Sequence, residues 1–298
     1  MHITAECLVC GAPGARQYTT RKTEHDSFTV LKCSTCGSAF VWPRPDAATV
    51  ECYYRGQSRN DLTAAQAERP GRRYYPDAAG DARRIIGACR HLAQGNRFLD
   101  VGAGFGPFSR AARERGFTVA ACEPNHDARA VFREVVGFEP EPVMFDAAYA
   151  AAHADTFDVV LMSQVLEHVT DPAAVAHHLS TVLRPGGLAA IAVPHFGSAL
   201  SRLQGQRDMY ISPPGHLNFF SRRGLTSLFA HSGFIPERID TASKVPCGRV
   251  TPFPVPLLQA AAWRLLYAGL ACFHPVGLGM FLNAYFRNSR RETQRPRG

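Results

Sequence analysis

Apolar and polar positions change period several times along the chain, and each change marks an element. Asp26 to Lys32 alternates in the manner of a short, half-buried strand. From Arg97 a mostly apolar strand, Phe98-Leu99-Asp100-Val101, runs straight into Gly102-Ala103-Gly104-Phe105-Gly106, and a helix-like stretch from Pro107 to Arg115 follows. A second strand is predicted over Phe117 to Cys122 and a helix over Arg222 to Ser232. Trp42-Pro43-Arg44-Pro45 to about Arg90 reads as a linker followed by helices. Its aromatic pairs, Tyr53-Tyr54 and Tyr74-Tyr75, either pack those helices on the next domain or close a lid over a cofactor. Beyond Pro252-Phe253-Pro254-Val255-Pro256, Leu257 to Phe273 reads as an amphipathic helix and Gly277 to Phe286 as the last strand of a sheet.

Composition narrows the class. The 298 residues are 46% hydrophobic and 19% charged, a balance that excludes disorder of the whole and suits one large domain with a smaller module. The formal charge is +8, which invites an anionic partner until the charge is located. Residues 1–90 carry 13 bases and 9 acids, residues 91–195 carry 7 and 12, and residues 196–298 carry 13 and 4. The middle of the chain is therefore acidic and the last third basic. Arg287 to Gly298 holds five arginines and one glutamate and is expected to be a solvated, mobile tail. The start, MHITAECLVC, lacks the features of a secretory signal, so a cytoplasmic setting is expected. The apolar stretch from Leu257 to Phe286 is interrupted by Arg264, His274 and Pro275 and falls short of a membrane span.

Four of the nine cysteines form two pairs, Cys7-Leu8-Val9-Cys10 and Cys33-Ser34-Thr35-Cys36. Each pair can aim two thiolates from one tight turn, and two such turns complete a tetrahedral zinc site. Gly11 and Gly37 follow the second cysteine of each pair and supply the permissive backbone that the turns need. Four protein ligands leave no open position, so a Zn2+ at Cys7, Cys10, Cys33 and Cys36 is expected to be structural, stabilising a module too small for a good core of its own. Cys52, Cys89, Cys122, Cys247 and Cys272 are unpaired in sequence and read as small apolar residues.

A strand that ends in a glycine-rich turn and opens a helix lets a ligand approach the main chain closely. The second strand ends at Glu123, where a carboxylate can accept both hydroxyls of a ribose. Dinucleotide and S-adenosylmethionine sites share that spacing. Here Pro107 stands where a pyrophosphate site would prefer its third glycine, and the acidic middle segment suits a cationic sulfonium cofactor better than a pyrophosphate.

Four stretches in order, Leu99 to Gly106, Glu123, Phe157 to Val169, and Leu183-Arg184-Pro185-Gly186-Gly187 before Leu188 to Val193, resemble the class I S-adenosylmethionine-dependent methyltransferases. The resemblance implies an α/β fold with a Rossmann-like seven-stranded methyltransferase sheet. It implies that Gly102, Ala103 and Gly104 pass close to the methionyl part of the cofactor, with Asp100 near its amino group. Glu123 would bind the ribose, Asp146 would meet the adenine amino group, and Ser163 and Gln164 would line the methionyl pocket. The segment Ala147-Ala148-Tyr149-Ala150 after Asp146 departs from the usual pattern. Together with the front cysteine pairs and Pro213-Pro214-Gly215-His216-Leu217-Asn218-Phe219-Phe220-Ser221, the chain is similar to bacterial zinc-ribbon methyltransferases of sugar, polysaccharide and natural-product pathways. The long C-terminal half of the best-known sugar C-methyltransferases is missing. The implied organisation is a zinc ribbon over 1–45, a linker and helical lid over 46–90, the cofactor-binding core over 91–245, and a C-terminal helix, last strand and basic tail over 246–298.

Methyl transfer needs the acceptor held close to the methyl group and water excluded; a base helps when the acceptor is a hydroxyl or an acidic carbon. Glu167-His168 after the fourth strand, His195 after the fifth and His216 in the Tyr210 to Phe220 loop fall near the carboxyl ends of the strands, where ligands of such sheets lie. One of these histidines is expected to deprotonate the acceptor. The preferred partner is a small molecule, a sugar or secondary metabolite, methylated on oxygen, nitrogen or carbon. A zinc-ribbon rRNA-base methyltransferase is the alternative, opposed by a ribbon in which Arg16, Arg21, Lys22 and Lys32 are offset by Glu6, Glu24 and Asp26. Aminocarboxypropyl transfer and cofactor binding without turnover also stay open. The C-terminal helix covers the core, forms a homodimer contact, or docks an apolar or lipid-linked acceptor at a membrane surface.

Overall fold

A computed structural model describes residues 4–24, 26–46, 49–50, 78–243, 269 and 271–290. The tyrosine pairs at 53–54 and 74–75, the proline run at 252–256 and nearly all of the helix expected over 257–273 lie outside these residues. No helix among the described residues is long and apolar enough to cross a membrane.

The chain opens with four strands, β1 (Thr4–Ala5), β2 (Ala15–Lys22), β3 (Ser27–Lys32) and β4 (Ala39–Val41). Helix α1 (Ala78–Leu92) leads into β5 (Arg97–Val101), α2 (Pro107–Glu114), β6 (Thr118–Cys122) and α3 (His126–Val136). Then come α4 (Ala147–Ala152), β7 (Phe157–Ser163), α5 (Pro172–Val182) and β8 (Leu183–Pro194). The remainder comprises α6 (Ala199–Gln204), β9 (Asn218–Phe219), α7 (Arg222–His231), β10 (Phe234–Ala242) and β11 (Phe281–Asn288).

The large sheet runs β10-β11-β8-β7-β5-β6. Strands β8, β7, β5 and β6 are parallel, while β11 is antiparallel to both of its neighbours. Period-two alternation sorts the side chains between two faces. Leu99, Val101, Val160 and Met162 pack with Val175 and Leu179 of α5 and Leu225 and Phe229 of α7. Phe98, Val159 and Leu161 pack with Ile85 and Ile86 of α1 and Phe108 and Ala112 of α2. Cys89 and Cys122 are buried in these layers as small apolar residues, whereas Cys272 is exposed, contrary to expectation.

Among the described residues the large sheet has six strands where seven were expected. Past β6 there is a one-residue bridge from Glu141 to Cys122, with the Glu123 N–H on the Glu141 carbonyl at 3.0 Å and the Glu141 N–H on Ala121 at 2.8 Å. Bonds to one neighbour alternate along a strand, so Val143 would be the next donor to β6, but its N–H turns back to the Glu141 carbonyl at 2.9 Å and the pairing stops.

The small sheet runs β1-β2-β3-β4-β9, and its fifth strand comes from far along the chain: Ala39 pairs with Phe219 and Phe40 with Asn218. Phe28, Val30, Ala39 and Val41 of this sheet share one apolar cluster with Phe196, Ile211, Leu217 and Phe219.

Two of the arginines expected in a solvated tail are held by the fold. Arg287 lies in β11, donating to Glu237 at 2.6 Å and to the carbonyls of Gly186 and Leu92 at 2.9 and 3.0 Å, and Arg290 pairs with Asp155. Between them, the buried Asn288 amide donates to the carbonyls of Ser180, Leu183 and Arg184 at 3.0, 3.1 and 3.3 Å. Replacing Asn288 by Ala leaves these carbonyls without that donor and should lower stability by about 1–3 kcal/mol, read as a fall in the thermal unfolding midpoint.

Candidate active site

The parallel strands end together, and the glycine turn after β5 sits on that edge. Gly102 has φ +64°, and a Cβ there would lie 2.6 Å from Val165 Cγ2, so both backbone and packing require glycine. Its N–H and that of Ala103 donate to the Cys122 carbonyl at 2.9 and 3.2 Å, tying the turn to β6. Gly104 has φ +53°, and a Cβ there would meet nothing within 4 Å, so open space lies over the turn.

Glu123 accepts the Gly104 N–H at Oε2 and the Asn125 N–H at Oε1, each at 2.8 Å. An ionised carboxylate has about four lone-pair positions, which leaves capacity for the hydroxyls of a ligand. Burial raises its pKa above the usual carboxylate range, against the pull of those amides and of Arg129. Asp100, behind the turn, accepts the Ser109 hydroxyl at 2.7 Å, and burial pushes its carboxyl up to about 7. Two desolvated carboxyl groups favour a cationic ligand and disfavour an anionic one.

Ser163 closes β7. Gln164, next, is a non-glycine residue at φ +57°, held there by its N–H and its side-chain amide, both donating to the Ala192 carbonyl at 2.8 and 3.1 Å. A left-handed residue at the carboxyl edge of the sheet is backbone strain where ligands bind. Asp146 is exposed and caps α4, accepting the Tyr149 N–H at 2.9 Å.

Across from the turn, atoms of Glu167, His168 and His216 lie within 4.8 Å of one another. Glu167 Oε1 is 3.9 Å from His168 Nε2. His168 Nδ1 bonds the Gly215 carbonyl at 2.8 Å and His216 Nδ1 bonds the Tyr210 carbonyl at 2.9 Å. A carbonyl only accepts, so each Nδ1 carries the hydrogen; in the neutral ring Nε2 is then the basic nitrogen. The two rings meet edge to face with centroids 4.8 Å apart. Burial, then the neighbouring His168, pushes His216 down to about 4. His195 is not in this group. It is buried, its Nδ1 bonds the Gly279 carbonyl at 3.0 Å, its N–H bonds Met280 at 2.8 Å, and burial pushes it down to about 4. Its bonds anchor the chain entering β11.

At the front of the molecule the four cysteine sulfurs also lie within 4.8 Å of one another. Cys7 and Cys36 are 3.8 Å apart at sulfur, and Cys10 and Cys33 3.7 Å. Four sulfurs at ~2.3 Å from a tetrahedral zinc would be about 3.8 Å apart, and a disulfide would need ~2.05 Å. The two knuckles repeat each other: Gly11 N–H on the Cys7 carbonyl at 2.8 Å, Gly37 N–H on Cys33 at 3.0 Å. The donor set therefore fits a closed zinc site.

The sequence reading singled out the Tyr210–Phe220 loop but missed the residues that hold it. Asn218 donates to the carbonyls of Leu166 and Val169 at 3.1 and 2.8 Å, and Arg44 donates to Leu217 at 2.7 Å. Burial pushes Arg44 down to about 10, against the opposing pull of Asp171. Only proximity in the fold reveals these roles, because the partners are 49 to 173 positions away.

Comparison with known proteins identifies the family. A family model described as a methyltransferase domain matches residues 72–237. The ubiquinone biosynthesis O-methyltransferase of Azotobacter vinelandii is 38% identical over 100 residues, covering 31% of this chain and 42% of that protein. The protein of the same name from Parvibaculum lavamentivorans is 37% identical over 99 residues, covering 32% and 39%. These matches span about two-fifths of those relatives. A SAM-dependent methyltransferase structure from Archaeoglobus fulgidus aligns with a TM-score of 0.50 at 16% identity, over 79% of this chain and 99% of that one, a likeness of fold.

Replacing Gly102 by Ala places a methyl group against Val165 in a left-handed backbone position. Calorimetry with S-adenosylhomocysteine should show at least a tenfold loss of affinity; wild-type affinity would mean that the turn is not at the cofactor.

Proposed function

Because the chain belongs to the methyltransferase-domain family, we propose that it is an S-adenosylmethionine-dependent methyltransferase that methylates a hydroxyl group of a small-molecule acceptor, a sugar or a secondary-metabolite intermediate. The observation that carries the acceptor side is the Glu167, His168 and His216 group, two imidazoles beside a buried carboxylate. Oxygen as the methylated atom draws on the name of the relatives, O-methyltransferases, and on a site that holds a base.

When bound, S-adenosylmethionine supplies an electrophilic methyl group on a cationic sulfonium. Glu123 would take the ribose hydroxyls on the lone pairs its two amide bonds leave over. Gly102, Ala103 and Gly104 would let the main chain approach the methionyl end, beside Ser163 and Gln164. The carboxyl groups of Asp100 and Glu123 favour positive charge at that edge. Asp146, the cap of α4, would meet the adenine amino group.

His168 Nε2 is the atom we assign to receive the acceptor proton. Its side chain is 29% exposed, so an acceptor can reach it, whereas His216 is held neutral by burial. Glu167, 3.9 Å away, stabilises the imidazolium that forms. The Gly215 carbonyl fixes the ring orientation throughout. Cys7, Cys10, Cys33 and Cys36 would hold a structural zinc with no position left for substrate.

The test uses purified protein, radiolabelled S-adenosylmethionine and a panel of phenols and sugar nucleotides, with mass analysis to distinguish methyl from aminocarboxypropyl transfer. Once an acceptor is found, His168→Ala should lower kcat roughly 100-fold or more with S-adenosylhomocysteine affinity unchanged. Turnover at the wild-type rate would remove His168 from the chemistry.

A further inference from the structure

The cysteine-bearing sheet makes direct contacts with the Tyr210–Phe220 loop. Arg21, on β2, directs its guanidinium at three carbonyls of the loop after α6: Nε to Ile211 at 3.0 Å, and Nη2 to Gln206 at 2.6 Å and Asp208 at 3.2 Å. Gln206 returns a bond to the Tyr18 carbonyl of the same strand at 2.7 Å. Below these bonds, Ile211 and Leu217 of the loop are packed into the apolar cluster of β3 and β4.

The second cysteine knuckle grips the far end of the loop. The Ser221 hydroxyl donates to the Cys36 carbonyl at 2.6 Å, and the Ser221 N–H donates to Ser38 Oγ at 3.0 Å. Gly224 passes so close that a Cβ there would lie 2.0 Å from Ser38 Oγ. The loop is thus held at both ends by the front sheet.

From Arg21 a short sequence of contacts reaches the acceptor side. Arg21 holds the Asp208 carbonyl, Asp208 Oδ1 accepts the Tyr210 N–H at 3.0 Å, and the Tyr210 carbonyl accepts His216 Nδ1–H at 2.9 Å. His216 in turn meets the His168 ring. The glycine turn and Glu123 have none of these partners; their bonds run to Cys122 and Asn125.

We propose that Arg21 is a positioning residue for the acceptor half of the active site: the cysteine-bearing sheet, through Arg21, sets the loop that orients His216 and His168, and leaves the cofactor half untouched. The proposal rests on the reading that these histidines face the acceptor. A planar guanidinium can serve three carbonyls in one geometry, whereas an ammonium is a point donor on a flexible stem.

The experiment compares wild type, Arg21→Gln and Arg21→Lys as full chains bound to S-adenosylhomocysteine. Amide exchange is followed over residues 205–217 and 102–106, the His216 ring by imidazole nitrogen NMR, and ligand affinity by calorimetry. The expected result in both variants is amide exchange over 205–217 faster by about tenfold or more and a shifted His216 Nδ1 signal. Exchange at 102–106 and affinity should stay within twofold of wild type. Gln206→Ala, which removes only the return bond to Tyr18, should move the same signals in the same direction by less and serves if Arg21 variants do not fold. Unchanged loop exchange and an unchanged His216 signal would overturn the proposal. So would equal loss of protection at 102–106, which would make Arg21 a global stabiliser. Failure of the wild-type chain to bind S-adenosylhomocysteine would instead count against the methyl-transfer reading and leave the loop result standing.

Discussion

The carbonyl oxygen of Glu167 accepts two amide protons, from Leu217 at 2.7 Å and from Asn218 at 3.0 Å, and the acceptor side of the molecule is assembled around it. Asn218 fastens the same turn a second time through its side chain, and its own main chain continues as β9 in the front sheet. One residue pair therefore joins the end of β7, the loop that carries His216, and the module that carries the cysteines. In such a buried setting each of these bonds is strong, and an unpaired partner is costly. The histidines can be held in one tautomer and one orientation because the carbonyls that fix them belong to this rigid junction.

Charge fits the same division of labour. The net +8 suggests an anionic partner only if its bases face outward. Several do not: Arg21, Arg44 and Arg287 are engaged with internal carbonyls. Asp100 and Glu123, in contrast, sit desolvated at the carboxyl edge, where a cationic ligand would lower the cost of their ionisation.

Local patterns were legible in the sequence where the physics is local. The glycine turn and the strand leading to it depend on residues a few positions apart, and Gly102 is required there by its own φ as well as by Val165. The cysteine pairs were legible for the same reason. Three features were not. The seventh strand was expected from the family resemblance, yet the chain turns back at Val143 and leaves a single bridge. The front module reads as self-contained, but its fifth strand and half of its apolar cluster come from residues 196 to 219. His195 has the right position after β8 for a catalytic role, yet it lies outside the Glu167, His168 and His216 group, buried and bonded to Gly279, a partner 84 residues away. In the last two cases the deciding contact is long-range and leaves no periodic mark.

The central claim is a geometric one: cofactor on the glycine turn and Glu123, acceptor space bounded by Glu167, His168 and His216. A crystal structure with S-adenosylhomocysteine tests it most directly. The account predicts ribose hydroxyls on Glu123, the amino-acid end over Gly102 and Gly104, and the sulfur facing the space in front of His168 Nε2. A ligand bound elsewhere, or a sulfur turned away from the two histidines, would contradict it.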